Sequence, residues 1–354
     1  MYIKKLKLEN FRNYEDFEIE FAPEGCLIHG MNGLGKTNLL EAIGYFAFGK
    51  SFQTGSDLDL INFSKAFFRL EATFNLDDQD LQFTAACDNK KKIVTIDHAK
   101  VSRISELYKY VKVVYFSNND INMIEGGPAL RRNFFDQAIS QSSFAYMDLL
   151  RKFHRILKQR NALLKDHFEE SEKAAWDEQF VEISAAIVEA RLEYLKRFIP
   201  VLQDCYFSIS GKKENLSVKY DSIVNRTEGY KYGLYQQLVK QKRNEIRLQR
   251  TLAGPHLDDV DFYIETKLAR KFGSQGQKRS LAIASRLVQA TLIQNTLHQT
   301  PILMFDDVLA DLDKQRTHQI MELMSGKHQI FIATPNLAAY DDFKLDKIDL
   351  EKLK

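Results

Sequence analysis

The chain has 354 residues, 44% of them hydrophobic, with 50 Lys and Arg against 48 Asp and Glu and a formal net charge of +2. That length supports one large domain or two to three smaller units, and so even a charge neither demands nor excludes nucleic acid, which makes any basic surface a local one. Three widely spaced cysteines, Cys26, Cys87 and Cys205, argue against a disulfide framework or a thiolate zinc site. No apolar run approaches the roughly 18 residues needed to cross a bilayer and no secretory signal is apparent, so a cytoplasmic protein with no membrane partner is expected.

The first elements are two short strands, near Ile3–Leu8 and Phe17–Phe21, around the polar turn Asn10 to Tyr14. Arg12 in that turn could touch a nucleotide phosphate, although an exposed turn arginine is the commoner case. The apolar segment Cys26–His29 then runs into Gly30-Met31-Asn32-Gly33-Leu34-Gly35-Lys36-Thr37, and Asn38 onward continues with helical spacing. Strand, glycine-rich loop and helix in this order make a phosphate cradle, in which loop N–H groups and the helix N-terminus point at the anion. Lys36 would reach the β- and γ-phosphates of ATP, Thr37 would ligate Mg2+, and Asn32 would hydrogen-bond near the γ-phosphate.

Strand-like runs follow at Ala66–Phe74, Leu81–Cys87, Ile93–Ile96 and Val111–Phe116, read together as an antiparallel meander. From Pro128 to Pro200 glycine is absent and apolar residues recur at helical spacing, with Pro200 interrupting the pattern. The pattern predicts a compact helical arm, too short for a long coiled coil. Its basic residues include Arg131, Arg132, Arg151, Lys152, Arg155, Lys158, Arg160 and Lys165, and later Arg243, Arg247 and Arg250. Arg151, Arg155 and Lys158 fall on one helix face, as a surface for a DNA phosphate backbone requires. A solvated face balanced by Glu169, Glu170 and Glu172 fits each cluster about as well.

Near the end, Ser274-Gln275-Gly276-Gln277 opens the helical run Leu281–Asn295, with Ser274 offering a hydroxyl and a backbone N–H as an anion site would. Pro301 leads into Ile302–Phe305, a buried parallel strand that delivers Asp306 as the Mg2+ partner and Asp307 as the group that orients or activates water. Ala310 to Asp313 form a Leu-Asp turn, and Gln329–Thr334 reads as a further core strand. About 260 residues separate Thr37 from Pro301, more than a typical whole domain, so the fold that joins them carries a large insertion. The expected division is 1–125 and 251–354 as the two parts of an ATPase head, with 126–250 as the inserted arm.

Loop, Ser-Gln-Gly-Gln segment, Asp-Asp strand and Leu-Asp turn together resemble the heads of ABC and SMC ATPases. Further stretches narrow the likeness: Leu8 to Tyr14, Asn32 to Ala42, Gly126-Gly127-Pro128 with Arg131 to Asp136, Gly254-Pro255-His256, Ser274 to Arg279 and Asp306-Asp307-Val308. With these the chain resembles the bacterial RecF family nearly end to end. The resemblance implies an α/β P-loop ATPase head with an antiparallel β lobe and an inserted helical arm. It also implies that Ser274 to Gln277 of one copy complete the nucleotide site of another, so that ATP drives a head-to-tail homodimer on double-stranded and gapped DNA. Slow ATP hydrolysis, cooperation with RecR and RecO in directing RecA, and roles in replication restart and SOS induction follow from the same likeness. Three departures from the patterns stand out: Asn118-Asn119 where the family has Pro-Glu, Leu257 where it has Arg after Gly-Pro-His, and Thr334 where ABC transporters place a histidine. With no Q-loop glutamine either, a transporter ATPase subunit is the weaker alternative; an SMC-like tether would need longer arms.

Overall fold

The computed structural model describes the chain except residues 167, 311, 325, 338–339, 341–342 and 353–354, so Asp311 of the expected Leu-Asp turn lies outside the described residues. The chain forms two compact units, one of residues 1–118 and 289–354 and one of residues 119–288. The expected arm of 126–250 thus falls within an observed unit that also takes in residues 119–125 and 251–288.

The first unit holds two sheets around one helix. A six-stranded antiparallel sheet runs in the order Tyr14–Glu20, Tyr2–Phe11, Phe67–Leu76, Gln79–Asp88, Lys92–Ile96, Ala99–Lys100. Ile3 and Leu6 both face its core although they are three positions apart, because the pairing shifts between Ile3 and Lys5 and restores the two-residue period beyond. A five-stranded sheet runs Asp346–Asp349, Gly25–His29, Ile330–Thr334, Ile302–Asp306, Val113–Ser117, with every pair parallel. Val113–Ser117 is therefore not part of the antiparallel meander; its apolar run pairs with Ile302–Asp306, and such runs suit a sheet covered on both faces.

The helix Lys36–Phe48 lies between the sheets. Tyr45 meets Phe68, and Phe46 meets Phe74 and Phe83, all on the antiparallel sheet. Gly44 faces Met304 of the parallel one. Burial of Leu39, Leu40, Ile43, Tyr45 and Phe46, at about 1.5–3 kcal/mol per large apolar side chain, fixes this helix and with it the loop at its start.

The second unit is mainly helical. Pro128–Ser142, Phe144–Leu163, Glu170–Ser210 and Tyr230–Leu248 are its longer helices, joined by a small antiparallel sheet of Leu216–Asp221, Asp259–Ile264 and Lys267–Leu268. Phe144–Leu163 and Glu170–Ser210 form an antiparallel pair, since Tyr146 meets Arg191, Phe153 meets Phe180 and Arg160 meets Asp177. Pro200 lies inside the second of these helices and does not end it. An interior proline costs about 3 kcal/mol, and the burial of Phe198, Leu202 and Tyr206 on either side more than offsets it.

Candidate functional site

The loop between the strand Gly25–His29 and the helix Lys36–Phe48 depends on glycine. Gly33 and Gly35 have φ of +87° and +97°, in the left-handed region open to glycine. A Cβ on Gly35 would also stand 2.6 Å from Asn13 Oδ1. That oxygen accepts from Asn38 Nδ2 at 2.9 Å, and the Tyr14 hydroxyl donates to the Gly35 carbonyl at 3.0 Å. Asn13 and Tyr14 thus prop the loop from the first hairpin, a role that the sequence does not display. Gly35 caps the helix without a side-chain hydrogen bond, so the first-turn N–H groups stay available to an anion.

Lys36 is buried along its stem and donates to the carbonyls of Gly30 at 2.8 Å and Met31 at 3.1 Å, with Asn32 Oδ1 at 3.4 Å. Met31, Asn32 and Gly33 are exposed and Leu34 is partly covered. The Met31 N–H donates to Glu351 Oε1 at 3.2 Å, a contact from the far end of the chain.

Opposite the loop, Thr37 Oγ1 donates to Asp306 Oδ1 at 2.8 Å, and the Tyr115 hydroxyl donates to Oδ2 at 2.7 Å. The two distant motifs therefore meet through one hydrogen bond. Their donor set is hard oxygen, as Mg2+ prefers, and cis ligands about 2.1 Å from an octahedral ion lie about 3 Å apart, so the Thr37 and Asp306 oxygens fit that ion. Among the described residues no cluster of three or more His, Cys, Asp or Glu could hold a metal; Mg2+ commonly takes one or two protein oxygens and fills its other positions with substrate phosphates and water. Asp307 follows with φ of +56°, its N–H held by the Ala333 carbonyl at 3.1 Å. A non-glycine residue in that conformation carries strain of the kind found at functional sites.

Arg12 is neither a free phosphate ligand nor an ordinary exposed turn residue. Its Nε and Nη2 donate to both oxygens of the buried Glu41 at 2.8 and 3.0 Å, and Nη1 donates to the Asp59 carbonyl. The guanidinium is committed to anchoring the hairpin on the helix that follows the loop.

In the second unit, Ser274 caps the helix Gln275–Leu297 reciprocally: Gln277 N–H donates to Ser274 Oγ at 3.2 Å, and Ser274 N–H donates to Gln277 Oε1 at 2.7 Å. The backbone N–H expected to face an anion is thus already used, while the hydroxyl proton remains to donate. Gln275 reaches Glu125, Gln277 Nε2 reaches Glu214, and Ser274 and Gln275 are exposed.

The proposed DNA-facing arginines separate into two groups. Arg131 is 1% exposed, grips both oxygens of Asp259 at 2.7 and 2.9 Å and donates to the Gly126 carbonyl, so it cannot meet a phosphate. Arg132 is partly buried and donates to the Asp258 carbonyl at 2.7 Å. Arg160 is fully buried among Asp177, Glu245 and Thr251. Arg151, Arg155 and Lys158 are exposed along the helix Phe144–Leu163, and Lys158 lines a shallow concavity with His154, Asn161 and Lys165. His256 packs between Phe153 and Phe180, and this burial lowers its pKa to about 4.

The model of the RecF/RecN/SMC N terminal domain matches residues 2–344. DNA replication and repair protein RecF of Heliobacterium modesticaldum is 33% identical, covering 100% of this chain and 98% of its own. RecF of Streptococcus gordonii is 35% identical over 95% of this chain and 94% of its own. The chain belongs to the RecF family. A solved structure of the recombination mediator protein RecF with ATP, 28% identical, superposes with a TM-score of 0.88 over 95% of this chain and 92% of that one. An Smc head, 16% identical with a TM-score of 0.55, shares the fold. The architecture is thus the ABC/SMC-type ATPase head that the motifs imply.

Proposed function

We propose that this chain is an ATP-switched DNA-binding protein of recombinational repair. The observation that carries this reading is the hydrogen bond from Thr37 to Asp306, which unites loop and strand in one oxygen site. In it the backbone N–H groups of Asn32 to Asn38 bind the phosphates, and Lys36 leaves the Gly30 and Met31 carbonyls to pair with the β- and γ-phosphate oxygens. Thr37 and Asp306 would hold Mg2+, which supplies charge neutralisation at the phosphates when bound. Asp307, turned off the strand end, orients the attacking water and takes its proton. Hydrolysis is slow and serves to reset the switch.

The second half of each site is Ser274 to Gln277 of another copy. The reciprocal cap supports this, because it fixes the helix start and leaves the Ser274 hydroxyl to donate to a γ-phosphate. ATP then closes a head-to-tail homodimer with two sites. Arg151, Arg155 and Lys158 face the phosphates of double-stranded DNA near gaps. Family membership supports cytoplasmic cooperation with RecO and RecR in directing RecA, and roles in replication restart and SOS induction.

Duplex binding measured with no nucleotide, with ADP and with a non-hydrolysable ATP analogue, across a salt series, tests the reading. Affinity is expected to rise only with the analogue and to fall steeply with salt. Affinity indifferent to nucleotide at every salt concentration would refute it.

A further inference from the structure

Asp306 is held at both oxygens, and only one of its partners belongs to the nucleotide motifs. Thr37 takes Oδ1; Tyr115 takes Oδ2. Tyr115 reaches it through sheet register: Asp306 pairs with Ser117 and Met304 with Tyr115, and residues two apart on a strand point to one face. The Tyr115 side chain therefore stands one pleat behind Asp306 on the same side of the sheet. Its ring is fixed by Phe52, with ring centroids 4.0 Å apart and planes at 34°. Phe52 in turn lies against Gly44, where an added Cβ would come within 2.8 Å of its ring. Gly44 belongs to the helix that carries Thr37, so both partners of Asp306 are referred to one rigid element.

We propose that Tyr115 is a positioning residue that sets the cation preference of the Thr37–Asp306 site. Its hydroxyl holds the carboxylate plane and occupies Oδ2, so that Asp306 presents a single oxygen beside Thr37. One-oxygen coordination suits the small octahedral Mg2+, whereas Ca2+ readily takes both oxygens of a carboxylate. Removing the hydroxyl frees the carboxylate to rotate and lowers the advantage of Mg2+ over Ca2+. This inference rests on the Mg2+–ATP reading given above.

The test is equilibrium binding of a fluorescent ATP analogue in EDTA, in Mg2+ and in Ca2+, for the wild type, Tyr115→Phe and Tyr115→Leu. Tyr115→Phe keeps the ring on Phe52 and removes only the hydrogen bond to a charged group, which carries about a tenfold effect or more. Its affinity in EDTA should stay within about twofold of wild type, while the gain on adding Mg2+ falls about tenfold and the gain on adding Ca2+ does not. Tyr115→Leu should match Tyr115→Phe in the Mg2+ to Ca2+ ratio. A Tyr115→Phe protein with the wild-type ratio overturns the proposal, and so does a ratio changed only in Tyr115→Leu, which would mark a packing role. A wild type that gains nothing from Mg2+ overturns the metal site itself, and the assignment of Tyr115 with it.

Discussion

Replacing Arg131 and replacing the exposed helix cations should have opposite signatures. Arg131→Met removes a guanidinium that makes two short bonds to Asp259 and one to the Gly126 carbonyl in a side-chain environment 1% exposed. The side chain of Asp259 is 10% exposed, and it keeps Arg270, 3.4 Å away, and the Val260 N–H at 2.7 Å. Breaking a buried pair from one side costs about 3–5 kcal/mol, a large share of the total stability of an ordinary domain. Arg270 keeps the expected loss near the lower end. Urea unfolding followed by helical circular dichroism should show the midpoint fall sharply, while folded Arg131→Met keeps the wild-type salt dependence on DNA. The triple change Arg151→Ala, Arg155→Ala and Lys158→Ala should leave the urea midpoint nearly unmoved. Its salt slope in log–log form should shrink by about 2.7, at about 0.9 for each DNA phosphate that is no longer neutralised. A stable Arg131→Met with a reduced salt slope, or a triple variant with the slope intact, would refute this division.

Two further outcomes follow from buried groups. His256 has a folded pKa lowered to about 4 by burial, against an ordinary 6.5, so the unfolded chain takes the proton first as pH falls. Its contribution is complete above about pH 6.5 and lost on descending to about pH 4, up to about 3 kcal/mol at about 1.36 kcal/mol per unit; His256→Gln should flatten urea stability across that window. Lys36→Met should abolish binding of the fluorescent ATP analogue while costing at most about 1–3 kcal/mol of urea stability, the penalty for leaving the buried Gly30 carbonyl without its donor; retained binding would refute the cradle.

The phosphate loop and the Asp-Asp strand were legible because their chemistry is local: glycines before Lys36 and Thr37, and an apolar run before Asp306. What escaped the sequence is set by pairing at a distance. Arg131 finds Asp259 and Arg160 finds Glu245 far along the chain, so a basic run gives no sign of which cations are already neutralised. Arg12 hides in the same way against Glu41. The direction of Val113–Ser117 and the reach of Tyr115 depend on register with Ile302–Asp306, which strand patterning does not encode. Helix continuation through Pro200 turns on burial around it, where local propensity alone reads as a stop. Ser274, read from the sequence as an anion-site serine, also caps its own helix, and that cap leaves the hydroxyl proton free to donate.

The most direct measurement of the central claim is solution molecular mass by sedimentation, with no nucleotide, with ADP and with a non-hydrolysable ATP analogue, for the wild type and Ser274→Arg. The wild type should double in mass only with the analogue, while Ser274→Arg binds the analogue as a monomer in all three conditions. A wild type that stays monomeric with saturating analogue, or a Ser274→Arg protein that dimerises as well as wild type, would contradict a nucleotide site completed by a second copy.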